Sequence, residues 1–399
     1  MKTKYLVIGV NASGFSALEE IRKHDSNGRI IAVNGENTLP YKRTKINKNF
    51  YPLRLDAEKI QLADSDWYIK NNITLINNLK ITAIDSVFKT AELENKEKIY
   101  WEKLLLSTGA ESFCPDISVF KNSYSIRTFE DTITVDNLIK SSKSCLIYGL
   151  GIESIETAAQ LSNAGLSVTI AGRAKRLLSR YFSPSISLMV EQLLLSKNID
   201  INYNVPIEKI ININETNIAI TDMSNKSVCI DGRTEIFDFL IYSLGISPKI
   251  SLAEHAGLKI KKGIVVNERM ETSNPNIYAA GDCAQPECSS ITDHWHSAQD
   301  QGRTAAANMA GSQYKWPIKK YRLKMEVFGE YFFSMKPITV YDGVDIENSE
   351  LSSRAFRLFY YRDNKLQAVE MVNDKERAKL YEKAVNEAWS KSEVDDILS

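Results

Sequence analysis

A strand, a glycine-rich turn, a helix and a second strand open this chain, and this arrangement restricts the fold more than any other feature of the sequence. The apolar run at residues 5–8 is typical of a buried parallel strand, and it breaks at a turn that starts at Gly9 and ends at Gly14. Apolar residues then recur at helical spacing, and a second strand ends near Glu36. A helix N-terminus offers N–H groups to a pyrophosphate, and an acid after the second strand can bind a ribose. The stretch is therefore predicted to be a dinucleotide-binding unit.

The first turn departs from the G-x-G-x-x-G pattern at one position. Asn11 stands where the second glycine of the pattern lets a phosphate approach the backbone. Taken alone, the stretch is also compatible with an ordinary turn at the start of an α/β domain.

A second copy of the unit follows, and the repeat favours dinucleotide binding more than either copy alone. Residues 144–148 predict a strand, Gly149 and Gly151 are the first two glycines of the turn, and the small Ser154 takes the third place. The next strand ends in glycine followed by Arg173, where an NAD site would carry an acid. A guanidinium there can pair with a 2′-phosphate, which favours NADPH, although the bases of this stretch could also simply face water. Two such units in one chain suggest one for a flavin and one for a nicotinamide nucleotide.

Composition limits the class of protein. The 399 residues are enough for two or three domains, and 43% hydrophobic with 25% charged residues is typical of a soluble globular protein. No apolar run is long enough to span a bilayer, and a strand that begins directly after Lys2 and Lys4 leaves no room for a signal peptide. Five scattered cysteines without a C-x-x-C pair favour the reducing cytoplasm. Equal numbers of acidic and basic residues give no electrostatic argument for nucleic acid.

Four further stretches carry a resemblance to a known family. They are Leu-Pro-Tyr-Lys-Arg at residues 39–43 with Lys48 downstream, the strand ending in Thr-Gly at residues 104–110, its later counterpart at residues 241–248, and Thr-Ser-Asn-Pro-Asn-Ile-Tyr-Ala-Ala-Gly-Asp-Cys-Ala at residues 272–284. With the two turns, the chain resembles the FAD-dependent pyridine nucleotide oxidoreductases. The most similar branch is that of the rubredoxin and ferredoxin reductases, together with the flavoprotein part of assimilatory nitrite reductase. The likeness covers nearly the whole chain.

The resemblance implies an α/β fold with two Rossmann-like dinucleotide-binding domains, one for FAD and one for NAD(P), and a small α+β C-terminal domain. The expected boundaries are residues 1–110 and 246–315 for a discontinuous FAD-binding domain, 111–245 for the NAD(P)H-binding domain, and 316–399 for the C-terminal interface domain. In this last part the sequence itself predicts aromatic strands, a hairpin at residues 363–365, and one charged helix from Glu376 to about Ser390.

The resemblance also implies the site residues. Those expected to bind FAD are Gly9, Asn11, Gly14, Glu36, Arg43, Lys48, Ile81, Thr108, Gly109, Arg127, Gly281, Asp282 and Trp295. Those expected to bind the nicotinamide nucleotide are Gly149, Gly151, Ile152, Glu156, Arg173 and Gly245. Lys48 and Glu156 are expected nearest the isoalloxazine, as catalytic residues that tune its charge rather than transfer protons.

Cysteine chemistry is not expected. Disulfide reductases of this superfamily need a cysteine pair beside the flavin, and peroxidase-like members need one cysteine shortly after the Arg43 region, which has none. Cys283 directly follows Asp282 and is more consistent with a small packed residue. His294 and His296 flank Trp295, and we interpret them as polar neighbours of the flavin pocket rather than metal ligands or catalytic groups.

The function that follows from the resemblance is that of a cytoplasmic FAD enzyme. It would oxidise NAD(P)H and pass electrons to a small redox protein, rubredoxin or ferredoxin, as a monomer or a homodimer without nucleic-acid or membrane partners. The alternatives are an NAD(P)H oxidase or diaphorase, a nitrite-reductase-like electron-transfer component and, from another class, a redox-sensing or assembly protein. An acidic carrier would dock on cations, and the candidate patch is Lys319, Lys320, Arg322 and Lys324, although these charges could also simply be solvated.

Overall fold

The computed structural model of the protein describes residues 1–48, 56–114, 122–212, 218–220, 235–335, 345–352 and 355–398. The first part of the chain contains β1 (Lys2–Ile8), α1 (Ala12–His24), β2 (Ile30–Asn34), a 3₁₀ helix (Arg43–Lys45), α2 (Ala57–Ile60), α3 (Ser65–Lys70), β3 (Ile73–Asn77), β4 (Ile81–Asp85), β5 (Thr90–Leu93), β6 (Lys98–Leu106) and β7 (Ala110–Ser112). The middle part contains β8 (Ser123–Tyr124), α4 (Phe129–Ile139), β9 (Ser144–Tyr148), α5 (Ile152–Asn163), β10 (Ser167–Ala171), α6 (Pro184–Leu195), β11 (Asp200–Asn202), a 3₁₀ helix (Ile207–Lys209), β12 (Ile210–Asn212), β13 (Ile218–Ile220), β14 (Glu235–Phe237), β15 (Phe239–Tyr242) and β16 (Ile246–Pro248).

The last part contains α7 (Ser251–His255), β17 (Ile264–Val266), β18 (Ile277–Ala279), β19 (Ala284–Pro286), α8 (Trp295–Met309), β20 (Leu323–Val327), β21 (Glu330–Ser334), β22 (Asp345–Ser352), β23 (Ala355–Arg362), β24 (Lys365–Val372), a 3₁₀ helix (Lys375–Arg377), α9 (Ala378–Asn386) and α10 (Lys391–Leu398). None of the helices in the described ranges is long and apolar enough to cross a lipid bilayer.

The first glycine turn follows β1, which belongs to a seven-stranded sheet. Strands β3, β2, β1 and β6 run parallel, β18 adds to β6 in parallel, and β5 and β4 form an antiparallel edge. Strand β1 is apolar and buried along most of its length, as a central strand covered on both faces requires. Helices α1 and α8 pack closely on each other: a Cβ placed on Gly302 of α8 would lie 2.1 Å from the Ser13 carbonyl oxygen. This packing brings the start of α8 next to the first glycine turn.

The second glycine turn follows β9, which belongs to a five-stranded parallel sheet in the order β11, β10, β9, β15 and β8. Three antiparallel strands, β12 to β14, accompany it. The short ribbon of β7 and β16 pairs Ala110 with Pro248, where the chain passes between the two sheets. The prediction of two Rossmann-like units, each with a parallel strand leading into a glycine turn and a helix, is confirmed.

The C-terminal part is a five-stranded antiparallel sheet in the order β20, β21, β24, β23 and β22, with α9 and α10 beside it. The prediction of one helix from Glu376 to Ser390 is wrong, because α9 ends at Asn386 and α10 begins at Lys391. Ala388 between them has a φ of 50°, which an α-helix cannot continue, and Trp389 turns inward against the core.

The C-terminal sheet packs against the second dinucleotide-binding unit. Met325, Val327 and Phe332 belong to the same apolar core as residues of β9, α5 and α6. Strand β20 therefore lies beside α5, and this contact closes one side of the cleft described next.

Candidate functional site

One cleft of about 2050 Å³ runs along the ends of both parallel sheets and connects the two glycine turns. Its lining includes every predicted site residue except Gly14: Gly9, Asn11, Glu36, Arg43, Lys48, Ile81, Thr108, Gly109, Arg127, Gly281, Asp282, Trp295, Gly149, Gly151, Ile152, Glu156, Arg173 and Gly245. Parallel sheets bind ligands outside the carboxyl ends of their strands, and both turns lie at such ends. The cleft is thus placed to hold two nucleotides end to end.

Gly14 supports the first turn from behind. A Cβ on this residue would lie 2.0 Å from the Gly9 carbonyl oxygen and 2.9 Å from Ser107 Oγ. The residue must therefore be glycine for α1 to approach β1, which is the packing role of the third glycine in a dinucleotide-binding turn.

Asn11 stands in place of the second glycine of the pattern, and both polar atoms of its side chain are hydrogen-bonded within the protein. Its Oδ1 accepts hydrogen bonds from the N–H groups of Ser13 and Gly14 at 3.1 and 3.4 Å, so it caps α1. Its Nδ2 donates to the Ser107 carbonyl at 2.6 Å and ties the turn to the end of β6.

We expect Asn11→Ala to lower the free energy of unfolding by about 1 kcal/mol, the usual effect of removing an N-cap side chain. FAD content should stay near that of the wild type, because the polar atoms of Asn11 are bound within the protein. Thermal melting and the flavin-to-protein absorbance ratio measure the two effects, and Asn27→Ala in an exposed loop is the matched control. Loss of FAD without loss of stability would instead assign Asn11 a direct contact to the cofactor.

A chain of ion pairs and hydrogen bonds links the residues predicted to bind FAD. Arg43 pairs with Glu36 at 2.5 Å, and the Tyr41 hydroxyl donates to the other Glu36 oxygen at 2.7 Å. Arg43 also donates to the Arg127 carbonyl, and the Arg127 guanidinium pairs with Asp282 at 2.8 Å. The Tyr41 hydroxyl, in addition, accepts the Phe129 N–H at 2.9 Å. The acid after β2 and the Asp282 loop are therefore held by one connected network.

The loop that carries Asp282 is fixed by two helices. The Gly281 N–H donates to Gln301 Oε1 of α8 at 2.8 Å, and Ser13 Oγ of α1 donates to the Ala280 carbonyl at 3.1 Å. Neither contact uses the Asp282 carboxylate, and Arg127 pairs with only one of its two oxygens, so the other oxygen can accept a hydrogen bond from a ligand in the cleft.

Both histidines beside Trp295 line the cleft. His296 Nδ1 contacts Gln299 at 3.2 Å, and burial together with the Arg322 guanidinium, 3.5 Å from Nε2, lowers the pKa of this imidazole. His294 lies next to Asp293 at the start of α8. The described residues contain no group of three or more potential metal ligands.

Lys48 and Glu156 meet where the two halves of the cleft join. Lys48 Nζ lies 2.7 Å from Glu156 Oε1, and Glu156 is only 6% exposed. The carboxylate also accepts from Asn47 Nδ2 at 3.1 Å and from the backbone N–H of Glu326 at 3.2 Å. Glu156 of α5 thus holds together Asn47 and Lys48 of the preceding loop and Glu326 of strand β20. It also orients the Lys48 ammonium.

The second glycine turn is more open than the first. Gly151 is the N-cap residue of α5 and provides no side-chain cap, and a Cβ placed on it would meet no atom within 4 Å. The start of α5 therefore faces the cleft without an obstacle, as a pyrophosphate site requires.

Arg173 and Arg176 differ in their surroundings. Arg173 is exposed on the rim of the cleft after β10 and makes no hydrogen bond or ion pair within the part of the chain that the structure describes. Arg176 donates to the Phe182 and Ser179 carbonyls and to Ser187 Oγ, so it holds the following loop. Arg173 is the guanidinium of this stretch that a ligand can reach.

Sequence reasoning missed three residues of the site. Glu153, in the first turn of α5, lines the cleft and accepts from Ser243 Oγ at 3.2 Å. The Tyr41 hydroxyl joins Glu36 to α4. The signal for this residue in the sequence was its place in the Pro-Tyr-x-Arg segment, two residues before Arg43. Leu150, between the two glycines of the second turn, had no such signal.

No cysteine lines the cleft among the described residues. Cys283 is completely buried, its Sγ lies 3.4 Å from the carbonyl oxygens of Leu106 and Ala280, and burial raises the pKa of its thiol. It packs behind Asp282, as interpreted from the sequence, while Cys229 lies outside the described residues.

Three of the four cations predicted to form a patch near the start of the C-terminal domain make contacts within the protein. Lys319 pairs with Asp300 at 2.6 Å, Arg322 pairs with Glu382 at 2.7 Å, and Lys320 donates to the Gln367 carbonyl. Lys324 is exposed on the cleft rim, and burial of part of its stem together with the positive charges of Arg322, Lys48 and Lys45 lowers its pKa.

The chain belongs to the pyridine nucleotide-disulphide oxidoreductase family, whose profile matches residues 3–302. It is an oxidoreductase that uses FAD and a nicotinamide nucleotide, as expected from the sequence. The site fits FAD, because an N-terminal helix end for the pyrophosphate, an acid for the ribose and Asp282 for the ribityl chain line one continuous cleft.

Characterised relatives cover most of this chain. A subunit of NADH-dependent phenylglyoxylate dehydrogenase from Aromatoleum evansii is 27% identical over 93% of this chain and 89% of its own length. A rubredoxin-NAD⁺ reductase from Pseudomonas putida is 26% identical over 92% of this chain and 95% of its own. The crystal structure of NADH:rubredoxin oxidoreductase from Clostridium acetobutylicum has a TM-score of 0.77 at 25% identity and covers 100% of this chain and 99% of that one. The predicted fold of two Rossmann-like domains with a small C-terminal domain is confirmed.

Proposed function

We propose that this protein is a cytoplasmic FAD-dependent reductase that takes hydride from NAD(P)H and passes electrons to a small carrier protein of the rubredoxin or ferredoxin type. One observation carries the proposal: a single cleft joins both glycine turns, and the Lys48–Glu156 pair lies at their junction. A nicotinamide ring bound from one side and a flavin bound from the other would meet there. The names of the relatives from Pseudomonas putida and Clostridium acetobutylicum support a rubredoxin as the acceptor.

The residues of this chain would act mainly by position and charge. FAD, when bound, supplies a group that accepts a hydride and can release electrons one at a time. The first turn, Glu36 and Asp282 would hold it, while Gly151 and Arg173 would hold the nicotinamide nucleotide in line with it. The Lys48 ammonium, oriented by Glu156, would stabilise the negative charge that develops at the junction of the cleft during electron transfer. The proposed transfer uses no thiol, and no cysteine is among the described residues that line the cleft.

The acceptor would dock where the cleft opens beside the C-terminal sheet. Lys45 and Lys324 are both exposed there, and Lys324 faces Lys48 and Arg322 closely enough for their charges to act on its pKa. A surface with several like charges close together favours an acidic partner. This docking site replaces the patch of four cations expected from the sequence, of which only Lys324 makes no ion pair or side-chain hydrogen bond among the described residues.

We expect the variant Lys45→Glu/Lys324→Glu to raise the KM for an acidic rubredoxin or ferredoxin at least tenfold and to weaken its dependence on ionic strength. The rate with ferricyanide, a small acceptor that needs no docking, should stay near the wild-type value. Lys70→Glu, which reverses an exposed charge at the end of α3, is the matched control. An unchanged KM for the carrier would place its docking site elsewhere.

Anaerobic rapid mixing separates the proposed activity from that of an oxidase and from that of a redox sensor. A reductase should show fast bleaching of the flavin by NAD(P)H and fast reoxidation when the carrier protein is added. Reoxidation that is fast with oxygen and slow with every carrier protein would favour an oxidase. Slow bleaching with a long-lived charge-transfer absorbance would favour a redox sensor.

A further inference from the structure

Asn11 occupies N–H groups that a dinucleotide-binding turn otherwise offers to a pyrophosphate. Its Oδ1 accepts from the N–H groups of Ser13 and Gly14 in the first turn of α1. The N-cap residue of α5 is Gly151, which has no side chain to compete for such groups. Because a helix N-terminus binds a pyrophosphate through its free N–H groups, α1 retains fewer donors for this purpose than α5 does.

The two arginines on the FAD side of the cleft have carboxylate partners. Arg43 pairs with Glu36, and Arg127 pairs with Asp282. In each pair the positive charge is balanced by a negative one. The pyrophosphate of FAD is an anion, and these two pairs add no net charge to balance it.

Lys249 lies beside the first glycine turn and lines the cleft. Its N–H donates to the Gly109 carbonyl at 3.0 Å, and its carbonyl accepts the Thr108 hydroxyl at 2.8 Å. Gly109 in turn borders the turn, because a Cβ placed on it would lie 3.2 Å from Asn11 Nδ2. The backbone of Lys249 is therefore fixed next to Asn11, while its ammonium makes no ion pair or hydrogen bond among the described residues.

The surroundings of the Lys249 ammonium hold further positive charge. Burial lowers the pKa of this ammonium, and the guanidinium groups of Arg43 and Arg127 also lower it. The carboxylates of Glu111 and Glu36 act in the opposite direction. An anion bound between these cations would relieve their mutual repulsion, so this part of the cleft favours an anionic ligand.

We propose that Lys249 is a binding residue for the pyrophosphate of FAD, and that its ammonium takes the place of the N–H groups that Asn11 occupies. An ammonium on a flexible stem can reach a phosphate oxygen from a backbone that is held beside the turn. The substitution of Asn11 for the second glycine and the presence of Lys249 are then two parts of one arrangement. The inference rests on FAD binding at the first glycine turn and is independent of the electron acceptor.

The test measures the release of FAD from the holoprotein, which is diluted at several salt concentrations before the free flavin is separated by ultrafiltration and quantified. Lys249→Met should raise the dissociation constant of FAD at least about tenfold, the usual loss for a hydrogen bond to a charged group, and should weaken its dependence on salt. Lys249→Arg keeps the charge and should stay near the wild type. Lys261→Met, which removes an exposed lysine outside the cleft lining, is the matched control.

The decisive variant also removes the side chain of Asn11. Asn11→Gly/Lys249→Met should recover most of the affinity that Lys249→Met loses, because the N–H groups of Ser13 and Gly14 become free for the pyrophosphate. If this double variant does not fold, the comparison of Lys249→Met with Lys249→Arg decides alone.

Two results would overturn the inference. One is a Lys249→Met protein that holds FAD as tightly as the wild type does, and the other is a double variant that releases FAD as readily as Lys249→Met. A wild-type protein that binds no FAD would instead overturn the cofactor site, and the proposed function with it.

Discussion

Gly14→Ala is expected to yield a protein that lacks FAD and is destabilised by at least about 3 kcal/mol, the upper part of the range for overpacked sites. The added Cβ would lie 2.0 Å from the Gly9 carbonyl oxygen, and a backbone atom cannot rotate away as a side chain can. Helix α1 would have to move from β1, and its N-terminus would move away from the pyrophosphate site. Chemical denaturation and the flavin content of the purified protein measure both effects.

Gly151→Ala provides the matched control in the second turn. Its Cβ would meet no protein atom within 4 Å, so the fold and the FAD content should be unchanged. The new methyl group would project into the opening at the start of α5, and affinity for the nicotinamide nucleotide should fall. A Gly14→Ala protein with normal stability and full FAD content would contradict the role assigned to this glycine.

Lys48→Met is expected to slow reduction of the flavin by NAD(P)H about 10²-fold, the usual effect of removing one oriented electrostatic group from a reaction site. It should also lower the free energy of unfolding by about 3 kcal/mol, because the buried Glu156 carboxylate would lose its counter-ion. Anaerobic stopped-flow measurements report the rate, and denaturation reports the stability. Lys59→Met, an exposed lysine on α2, is the control for the loss of one surface charge.

A second variant separates the two effects of Lys48. Lys48→Met/Glu156→Gln removes both charges, and the oxygen of the introduced amide can still accept from Asn47 Nδ2. It should recover most of the stability without recovering the rate of flavin reduction. Recovery of the rate as well would mean that Lys48 serves only to neutralise Glu156.

The elements that the sequence predicted well are those in which local pattern and packing agree. The apolar run before Gly9 is a buried central strand, and the turn that follows begins a helix whose start faces the cleft. The same holds for the second unit around Gly149. The resemblance added what periodicity could not provide, since it brought Lys48 and Glu156 together although 108 positions separate them in the chain.

What the sequence could not predict depends on contacts between distant segments. Nothing in the sequence indicated that the cations at 319, 320 and 322 have partners within the protein. Their partners Asp300, Gln367 and Glu382 come from other elements of the fold. The break of the last helix at Ala388 follows from the burial of Trp389 in the core of the C-terminal part.

The most direct test of the account is an anaerobic titration of the purified protein with NADPH and with NADH, followed by visible absorbance. The account predicts a yellow protein whose flavin bands bleach with a stoichiometric amount of NADPH, because both nucleotides share the cleft that joins the two turns. A colourless protein that FAD cannot reconstitute would contradict it. So would a bound flavin whose spectrum neither nucleotide changes.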